Sequence, residues 1–152
     1  MNIAEFVENN VALHGLAVIA VFGDQNNPPF AYTIGLAQRG QPDLLIIGVG
    51  QEAAHFFLNE VARRMQAGES FPDCEPIAEL ANLPCALRDI PTAAAIERHA
   101  IQANYYYADK GITDYRFRQL VISDRAGLLP WEDGYDHAYM DPRQACLWRQ
   151  AH

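Results

Sequence analysis

The segment NPPFAYTIGL, residues 27–36, is central to the fold prediction because it has the pattern of a β-strand with two unlike faces. Successive side chains of a strand point to opposite faces, so large side chains share one face here and small ones share the other. The large side chains are those of Phe30, Tyr32, Ile34 and Leu36, and the small face consists of Ala31, Thr33 and Gly35. Small strand residues leave room for a close neighbour, either another element or a flat ligand. We expect the large face to enter a core and the helix predicted at 51–67 to lie over the small face.

The flanking sequence predicts one α+β domain that covers residues 1–152. Helical periodicity and capping residues mark three segments, and runs of β-branched and other apolar residues mark the strands. The predicted helices cover 3–14, 51–67 and 92–104, and the predicted strands cover 16–23, 30–36, 43–50, 84–90 and 114–123. A turn at 124–127 leads into one more predicted strand. This order favours a bent, mainly antiparallel sheet that resembles a split barrel and is flanked by two to three helices.

The chain is acidic, with 19 Asp and Glu against 11 Lys and Arg and a formal net charge of −8. Such a charge repels phosphate backbones and anionic membranes, so nucleic acid and membrane partners are not expected. It suits a soluble protein, and it also steers association with a cationic protein.

The cysteines and the N-terminus predict a cytoplasmic protein. Cys74, Cys85 and Cys146 are odd in number and match no Cys-x-x-Cys motif, so reduced thiols are expected. The first residues lack the basic start and apolar core of a signal peptide, and no apolar stretch reaches the length of a membrane span.

The clearest formal motif is GVGQEA, residues 48–53, which matches the G-x-G-x-x-A pattern of dinucleotide-binding turns. That site also needs a βαβ unit whose next parallel strand ends in an acidic residue, whereas residues 69–76 are predicted to be a proline-containing loop. Glu52 would in addition place a negative charge beside a bound pyrophosphate. We therefore interpret the motif as a strand-to-helix turn in which Gly48 gives room beside the small strand face.

Candidate metal ligands lack the spacing of a known site, so no metal and no cofactor is predicted. Glu52 and His55 form half of a di-iron motif, but a second Glu-x-x-His pair is absent from the sequence. His137 lies among three aspartates in an order that fits neither a calcium loop nor a zinc site.

Nucleophilic catalysis has no sequence signature in this chain. Neither serine, Ser70 or Ser123, lies in a Gly-x-Ser-x-Gly elbow, and the cysteines lack a cysteine-hydrolase pattern. Because catalytic triads are defined by geometry, a pairing of Cys85 with His99 or of Ser123 with His137 stays open.

Two segments carry a resemblance to a known family. PPFAYTIGL at 28–36 and QLVISDRAGLLPWEDGY at 119–135 resemble the bacterial family named domain of unknown function 4262 (DUF4262), and residues 16–136 align with it in order. The resemblance implies membership of a family but no activity.

Three functions stay open on the sequence. The first is a binding or interaction domain, such as an acidic neutraliser of a cationic protein partner, which the charge and the aromatic C-terminal region favour. The second is a pocket for a flavin or another planar small molecule, and the third is a hydrolase with a convergent triad. A homodimer is compatible with all three. The candidate ligand- or partner-binding residues are Thr33, Gly35, Gly48, Tyr106, Trp131, Tyr135 and Tyr139.

Overall fold

A computed structural model describes residues 2–149 of the chain. The helices are α1 (Ile3–His14), α2 (Gln51–Gln66), α3 (Thr92–Arg98), α4 (Ile101–Asp109) and α5 (His137–Met140), and a 3₁₀ helix covers Leu36–Arg39. The strands are β1 (Ala17–Val21), β2 (Phe30–Ile34), β3 (Asp43–Ile47), β4 (Cys85–Ile90) and β5 (Phe117–Ile122). Each of these strands lies within a segment that the sequence predicts to be a strand.

The strands form one sheet in the order β1-β2-β3-β5-β4. The pairs β1/β2, β2/β3 and β4/β5 are antiparallel, whereas β3 and β5 are parallel. The α+β class and the mainly antiparallel sheet are therefore confirmed. The sheet is open, with β1 and β4 as its outer strands, so the similarity to a split barrel does not extend to closure.

Helix α1 follows the prediction because its ends carry the expected caps. The Asn2 side chain accepts a hydrogen bond from the backbone N–H of Glu5, and Gly15 ends the helix with a left-handed φ of 83°. Asparagine at the N-cap and glycine after the last turn satisfy backbone groups that a helix leaves unpaired.

Helices cover both faces of β2. Ala31 belongs to the core under α2, whereas Tyr32 and Ile34 belong to a second core that includes residues of α1, α3 and α4. For these three residues the predicted division between a small and a large face is confirmed. What lies against the small face at Ala31 is a helix.

The alternation of β2 ends at Gly35. This glycine has a φ of 117°, and the chain turns there into the 3₁₀ helix, so Leu36 joins the core under α2. A Cβ atom on Gly35 would lie 2.9 Å from the carbonyl oxygen of Gly15 and 3.1 Å from a methyl group of Val11. The neighbour of Gly35 is thus the α1–β1 turn and not α2, so the prediction for Gly35 was wrong. Leu36 is buried in a core as predicted, but this is the core under α2 and not the one that holds Tyr32 and Ile34, because the strand ends before the turn.

The single helix predicted at 92–104 is broken into α3 and α4. The break lies at His99, with φ −123° and ψ −76°, where the imidazole ring packs edge-on against Phe30 at 4.6 Å between ring centroids. Ala100 is fully buried beside the break. Contacts with the sheet therefore override the helical preference of an alanine-rich segment.

The strand predicted after residues 124–127 is absent from the described chain. The Asp124 carboxylate accepts backbone N–H bonds from Ala126, Leu128 and Asp136, each at 2.9 Å. These bonds fold the chain back on itself, so residues 128–149, the C-terminal segment, run as turns and the short helix α5. Leu129 and Trp131 of this segment pack over Ala86 and Val121 on the β4/β5 side of the sheet.

Candidate functional site

Three strands finish at one end of the sheet, which we call the carboxyl edge. β3 and β5 are parallel neighbours, and β1 points the same way because it is separated from β3 by the antiparallel β2. β3 continues into the Gly48–Gly50 turn and α2, and β5 continues into the turn at Asp124. In open α/β sheets, ligands bind outside the carboxyl ends of the parallel strands, which makes this edge a candidate location for a ligand site.

An apolar pocket of about 280 Å³ opens at the carboxyl edge. It lies between the start of α2, the loop before β4, and the paired ends of β4 and β5. Its lining consists of Val49, Phe57, Ala81, Asn82, Leu83, Cys85, Leu120 and Ile122. No charged side chain lines it, and Leu83 at its wall is exposed to solvent.

Hydrogen bonds fix the loop that forms one wall of the apolar pocket. The Arg64 guanidinium on α2 donates to the carbonyl oxygens of Ala78 at 2.6 Å and of Glu79 at 2.8 Å. At the far end of the loop, the backbone N–H of Ser123 donates to the Pro84 carbonyl at 2.9 Å. The loop is therefore held from α2 on one side and from the end of β5 on the other.

Cys85 is the only thiol in the lining of the apolar pocket. Burial raises its pKa to about 11, against a smaller opposing effect of Arg64. A thiol with such a pKa stays protonated at neutral pH and is a poor nucleophile. The lining of the pocket therefore offers apolar contacts, one neutral amide and one neutral thiol.

The glycine turn at the same edge is closed by the C-terminal segment. A Cβ atom on Gly48 would collide with the carbonyl oxygen of Arg143. The Gln144 side chain beside it accepts from the Ile122 N–H and donates to the Ile122 carbonyl, both at 2.9 Å. After α2 the chain enters β4, an outer strand antiparallel to β5, so the turn lacks the βαβ unit of a dinucleotide site.

The predicted site residues Thr33, Gly35 and Tyr106 lie at the opposite end of the sheet from Gly48. Thr33 is fully buried, and its hydroxyl donates to the Asp43 carboxylate at 2.7 Å. The Tyr106 hydroxyl donates to the Gln38 side chain at 3.0 Å. The structure thus does not bring these residues together with Gly48 on one surface.

The predicted aromatic residues of the C-terminal segment make contacts within the chain. Trp131 stacks edge-on with Trp148 at 5.9 Å, and the Arg88 guanidinium lies within 5.2 Å of both ring centroids. Tyr135 is buried, and its hydroxyl accepts from the Gln144 side chain at 3.3 Å.

Tyr139 also has partners within the chain. The guanidinium carbons of Arg125 and Arg143 lie 3.6 and 3.8 Å from its ring centroid. Cation–π contacts of this kind hold a ring to its own chain. The aromatic residues of the C-terminal segment are thus engaged in contacts within the segment and with Arg88 and Arg125 outside it.

A buried polar cluster surrounds Asp43, and it was not predicted from the sequence. This fully buried carboxylate accepts hydrogen bonds from the hydroxyls of Thr33 and Tyr107 and from the backbone N–H of Leu36. The Tyr107 hydroxyl in turn accepts from the Gly35 N–H at 2.7 Å. The available signal was an aspartate at the start of the apolar run DLLIIGVG, since an acidic residue in such a run must be buried with partners or lie at its end.

Burial sets the protonation behaviour of this cluster. Desolvation raises the Asp43 pKa to about 7, although the hydrogen bonds from Tyr107, Thr33 and the backbone act in the opposite direction. The pKa of Tyr107 is raised as well, first by burial and then by the neighbouring carboxylate. Because the cluster is closed to solvent, we assign it to the structure of the β2–β3 connection and not to a site of reaction.

The two pairs considered for a hydrolase are not joined by hydrogen bonds in residues 2–149. The Ser123 hydroxyl donates to the Asp124 carbonyl at 3.0 Å, and His137 Nδ1 lies 3.1 Å from the Asp141 carboxylate. His99 Nδ1 is buried and has no hydrogen-bond partner. In the same part of the chain no group of three or more His, Cys, Asp or Glu side chains is arranged to hold a metal ion.

Comparison with protein families assigns the chain to one of them. The model of the family described as domain of unknown function (DUF4262) matches residues 10–136, which is most of the 152-residue chain. The protein belongs to this family, as its resemblance in two segments implies. No curated protein and no solved structure matches the chain significantly. None of the described helices is both long and apolar enough to cross a membrane.

Proposed function

We propose that this protein is a binding domain that holds a small, uncharged, apolar ligand in the apolar pocket. The supporting observation is the pocket itself, with about 280 Å³ of unfilled space and no charged residue in its lining. The pocket is concave and open to solvent, so a ligand can reach it without unfolding of the chain. Ligand sites are typically concave and mainly apolar.

The lining determines the class of ligand. A charged group would lose its hydration in the pocket without gaining a counter-ion, so an uncharged molecule is favoured. The amide of Asn82 can contribute one or two hydrogen bonds, while the Cys85 thiol stays neutral. The volume lies just below the usual range of about 300–1,000 Å³ for ligand sites, which favours a molecule of two or three rings over a complete flavin.

The uncharged fluorescent amine N-phenyl-1-naphthylamine tests this proposal. We expect saturable one-to-one binding to the unmodified protein, detected as increased probe emission in an apolar environment. Ile122→Phe should abolish the binding because the larger side chain fills the pocket. The hydrogen bonds between the backbone of residue 122 and the Gln144 side chain should be retained, since they do not involve the side chain of residue 122.

The matched control is Ile101→Phe, the same substitution on an exposed face of α4. It should leave the binding unchanged, and circular dichroism should show that both variants are folded. Absence of saturable binding to the unmodified protein, or equal binding by the Ile122→Phe variant, would contradict the proposal.

A cationic protein partner is the second candidate, and the net charge of −8 favours it. Association driven by opposite charges weakens as salt screens them, whereas burial of an uncharged ligand does not. A protein that co-purifies with the chain at low salt and dissociates at high salt would support this second function. The Ile122→Phe variant should bind that partner as well as the unmodified protein does, since its change lies in the apolar pocket.

A further inference from the structure

The two outer strands of the sheet differ in what lies beside them. At the edge of β4, Cys74 N–H donates to the Leu87 carbonyl at 3.0 Å, and Ile77 N–H donates to the Cys85 carbonyl at 2.8 Å. In the described part of the chain no segment bonds in this way to the outer edge of β1. Uncovered strand edges are sites at which another strand can pair.

The alternation of hydrogen bonds along β2 shows which backbone N–H and C=O groups of β1 point away from the sheet. Gly48 N–H donates to the Pro29 carbonyl at 2.8 Å, so in β2 residues 29 and 31 have their backbone groups directed at β3. Residues 30, 32 and 34 then bond to β1 at positions 21, 19 and 17. The backbone groups of Val18 and Ala20 therefore point away from the sheet, and no other hydrogen bond in residues 2–149 uses them.

A groove of about 360 Å³ runs beside this edge, between α1 and α2. Its lining consists of Phe6, Asn10, His14, Leu16, Val18, His55 and Asn59. None of these residues is an Asp, Glu, Lys or Arg, although a fifth of the chain is charged.

Exposed apolar side chains concentrate around the same edge. Of the large hydrophobic residues that the structure leaves exposed, three lie in α1, one ends β1 and one directly follows β1. These five are Ile3, Phe6, Leu13, Val21 and Phe22. Exposed apolar residues that are grouped in this way mark an interaction surface.

We infer that β1 pairs antiparallel with β1 of a second copy of this chain, which joins the two sheets into one of ten strands. A two-fold axis through Ile19 places Val18 of each copy opposite Ala20 of the other, so that the outward backbone groups of each strand meet those of its partner. The same register places Phe22 opposite Leu16, next to the groove.

Symmetry and charge favour a second copy over an unrelated strand. The axis lies perpendicular to the sheet, so both α1 helices come to the same face and their exposed Ile3, Phe6 and Leu13 approach each other. Each copy carries a net charge of −8, whereas neither β1 nor the lining of the groove contains an Asp, Glu, Lys or Arg, so the strand pairing itself places no like charges opposite each other. The inference does not depend on the ligand proposed above.

The mass of the unmodified protein in solution, measured by sedimentation equilibrium, tests the inference. We expect twice the chain mass of 17.0 kDa, with dissociation on dilution. Hydrogen exchange should protect the amides of Val18 and Ala20 in the dimer and release them on dilution, while the amide of Ile19 stays protected by β2.

Two variants address the same contact by different means. Ala20→Pro removes an outward N–H that β2 does not use, and proline is tolerated on an outer strand in this orientation. Phe22→Lys places a charge at the contact without removing core packing, and it should weaken association by at least about tenfold. Tyr105→Lys, an equally drastic change on an exposed face of α4, is the control and should leave the dimer intact.

A monomer at every concentration overturns the inference. So does a dimer that persists in both folded variants, Ala20→Pro and Phe22→Lys, since its contact would then lie elsewhere. If Ala20→Pro fails to fold, Phe22→Lys and the exchange of the Val18 amide decide the outcome.

Discussion

At the scale of single residues, the buried carboxyl group of Asp43 couples the stability of the fold to pH. Its pKa is raised from 3.8 to about 7 in the folded protein, because burial disfavours the charge. The folded state thus binds a proton that the unfolded state releases between about pH 4 and pH 7. The free energy of unfolding accordingly falls as pH rises through this window.

We predict that the free energy of unfolding, measured by urea denaturation at a series of pH values, falls as the pH rises from about 4 to about 7. Asp43→Asn should flatten this dependence, because it removes the titrating group. Tyr107→Phe is the comparison that keeps the carboxyl group, and it should be less stable but still dependent on pH. A profile that is equally steep in the unmodified protein and in Asp43→Asn would assign the effect to another group.

His99 acts in the opposite direction at lower pH. Burial, together with the charge of Arg98, lowers its pKa below 6.5, so its contribution to stability is present above about pH 6.5 and is lost on acidification. Asp43→Asn leaves this contribution in place, which separates the two groups in one experiment.

Gly48 and Gly68 form a natural pair for measuring one contact. Both have a φ of 95°, so alanine is equally strained at either position. A Cβ atom would collide with the Arg143 carbonyl at Gly48, whereas nothing lies within 4 Å at Gly68.

We predict that Gly48→Ala lowers the free energy of unfolding by roughly 1–3 kcal/mol more than Gly68→Ala does, measured by chemical denaturation. The difference reports the close approach of the C-terminal segment to the β3–α2 turn. Equal losses in the two variants would mean that this approach does not occur in solution.

At the scale of elements, α2 and the loop before β4 are joined by one of two consecutive arginines. Both arginines pair with Glu60, but Arg64 is 13% exposed and also donates to the carbonyls of Ala78 and Glu79, whereas Arg63 is 67% exposed. Surface ion pairs contribute little to stability, but bonds that fix a loop to a helix restrict its motion.

We predict that Arg64→Ala accelerates hydrogen exchange of residues 78–83 and weakens the binding of N-phenyl-1-naphthylamine at least about tenfold, because the pocket wall loses its anchor. Arg63→Ala, with the same loss of charge on the same helix, should change neither. Equal effects of the two substitutions would point to charge and not to the anchored loop.

At the scale of the whole molecule, the class of fold could be predicted from the sequence because most helices and strands are marked by patterns among neighbouring residues. Alternation in β2, the capping residues of α1 and the apolar stripe of α2 are all properties of neighbouring residues. The break at His99 could not be predicted, because it arises from packing on Phe30, about seventy residues earlier in the chain. The fold of the C-terminal segment depends likewise on the Asp124 carboxylate bonding to the distant N–H of Asp136.

The candidate site was harder to predict than the fold, for a related reason. The apolar pocket takes its lining from α2, β4, β5 and a loop, and each contributing residue alone has the character of an ordinary core residue. The aromatic C-terminal residues were predicted to bind because they lie in turns and not at regular core positions, yet the rings of Trp131 and Tyr139 pack against arginines of the same chain. The type of a side chain indicates whether it could contact a ligand. Which side chains surround an unfilled pocket depends on the three-dimensional arrangement of the strands, helices and loops.

The Arg88 contact with Trp131 and Trp148 has a consequence for spectroscopy. These are the two tryptophans of the chain, and both lie in the C-terminal segment. Intrinsic tryptophan emission therefore reports whether this segment is docked on the β4/β5 side of the sheet, while far-ultraviolet circular dichroism reports the helices and strands. Melting curves from the two signals coincide only when the segment detaches in the same cooperative step that unfolds the sheet.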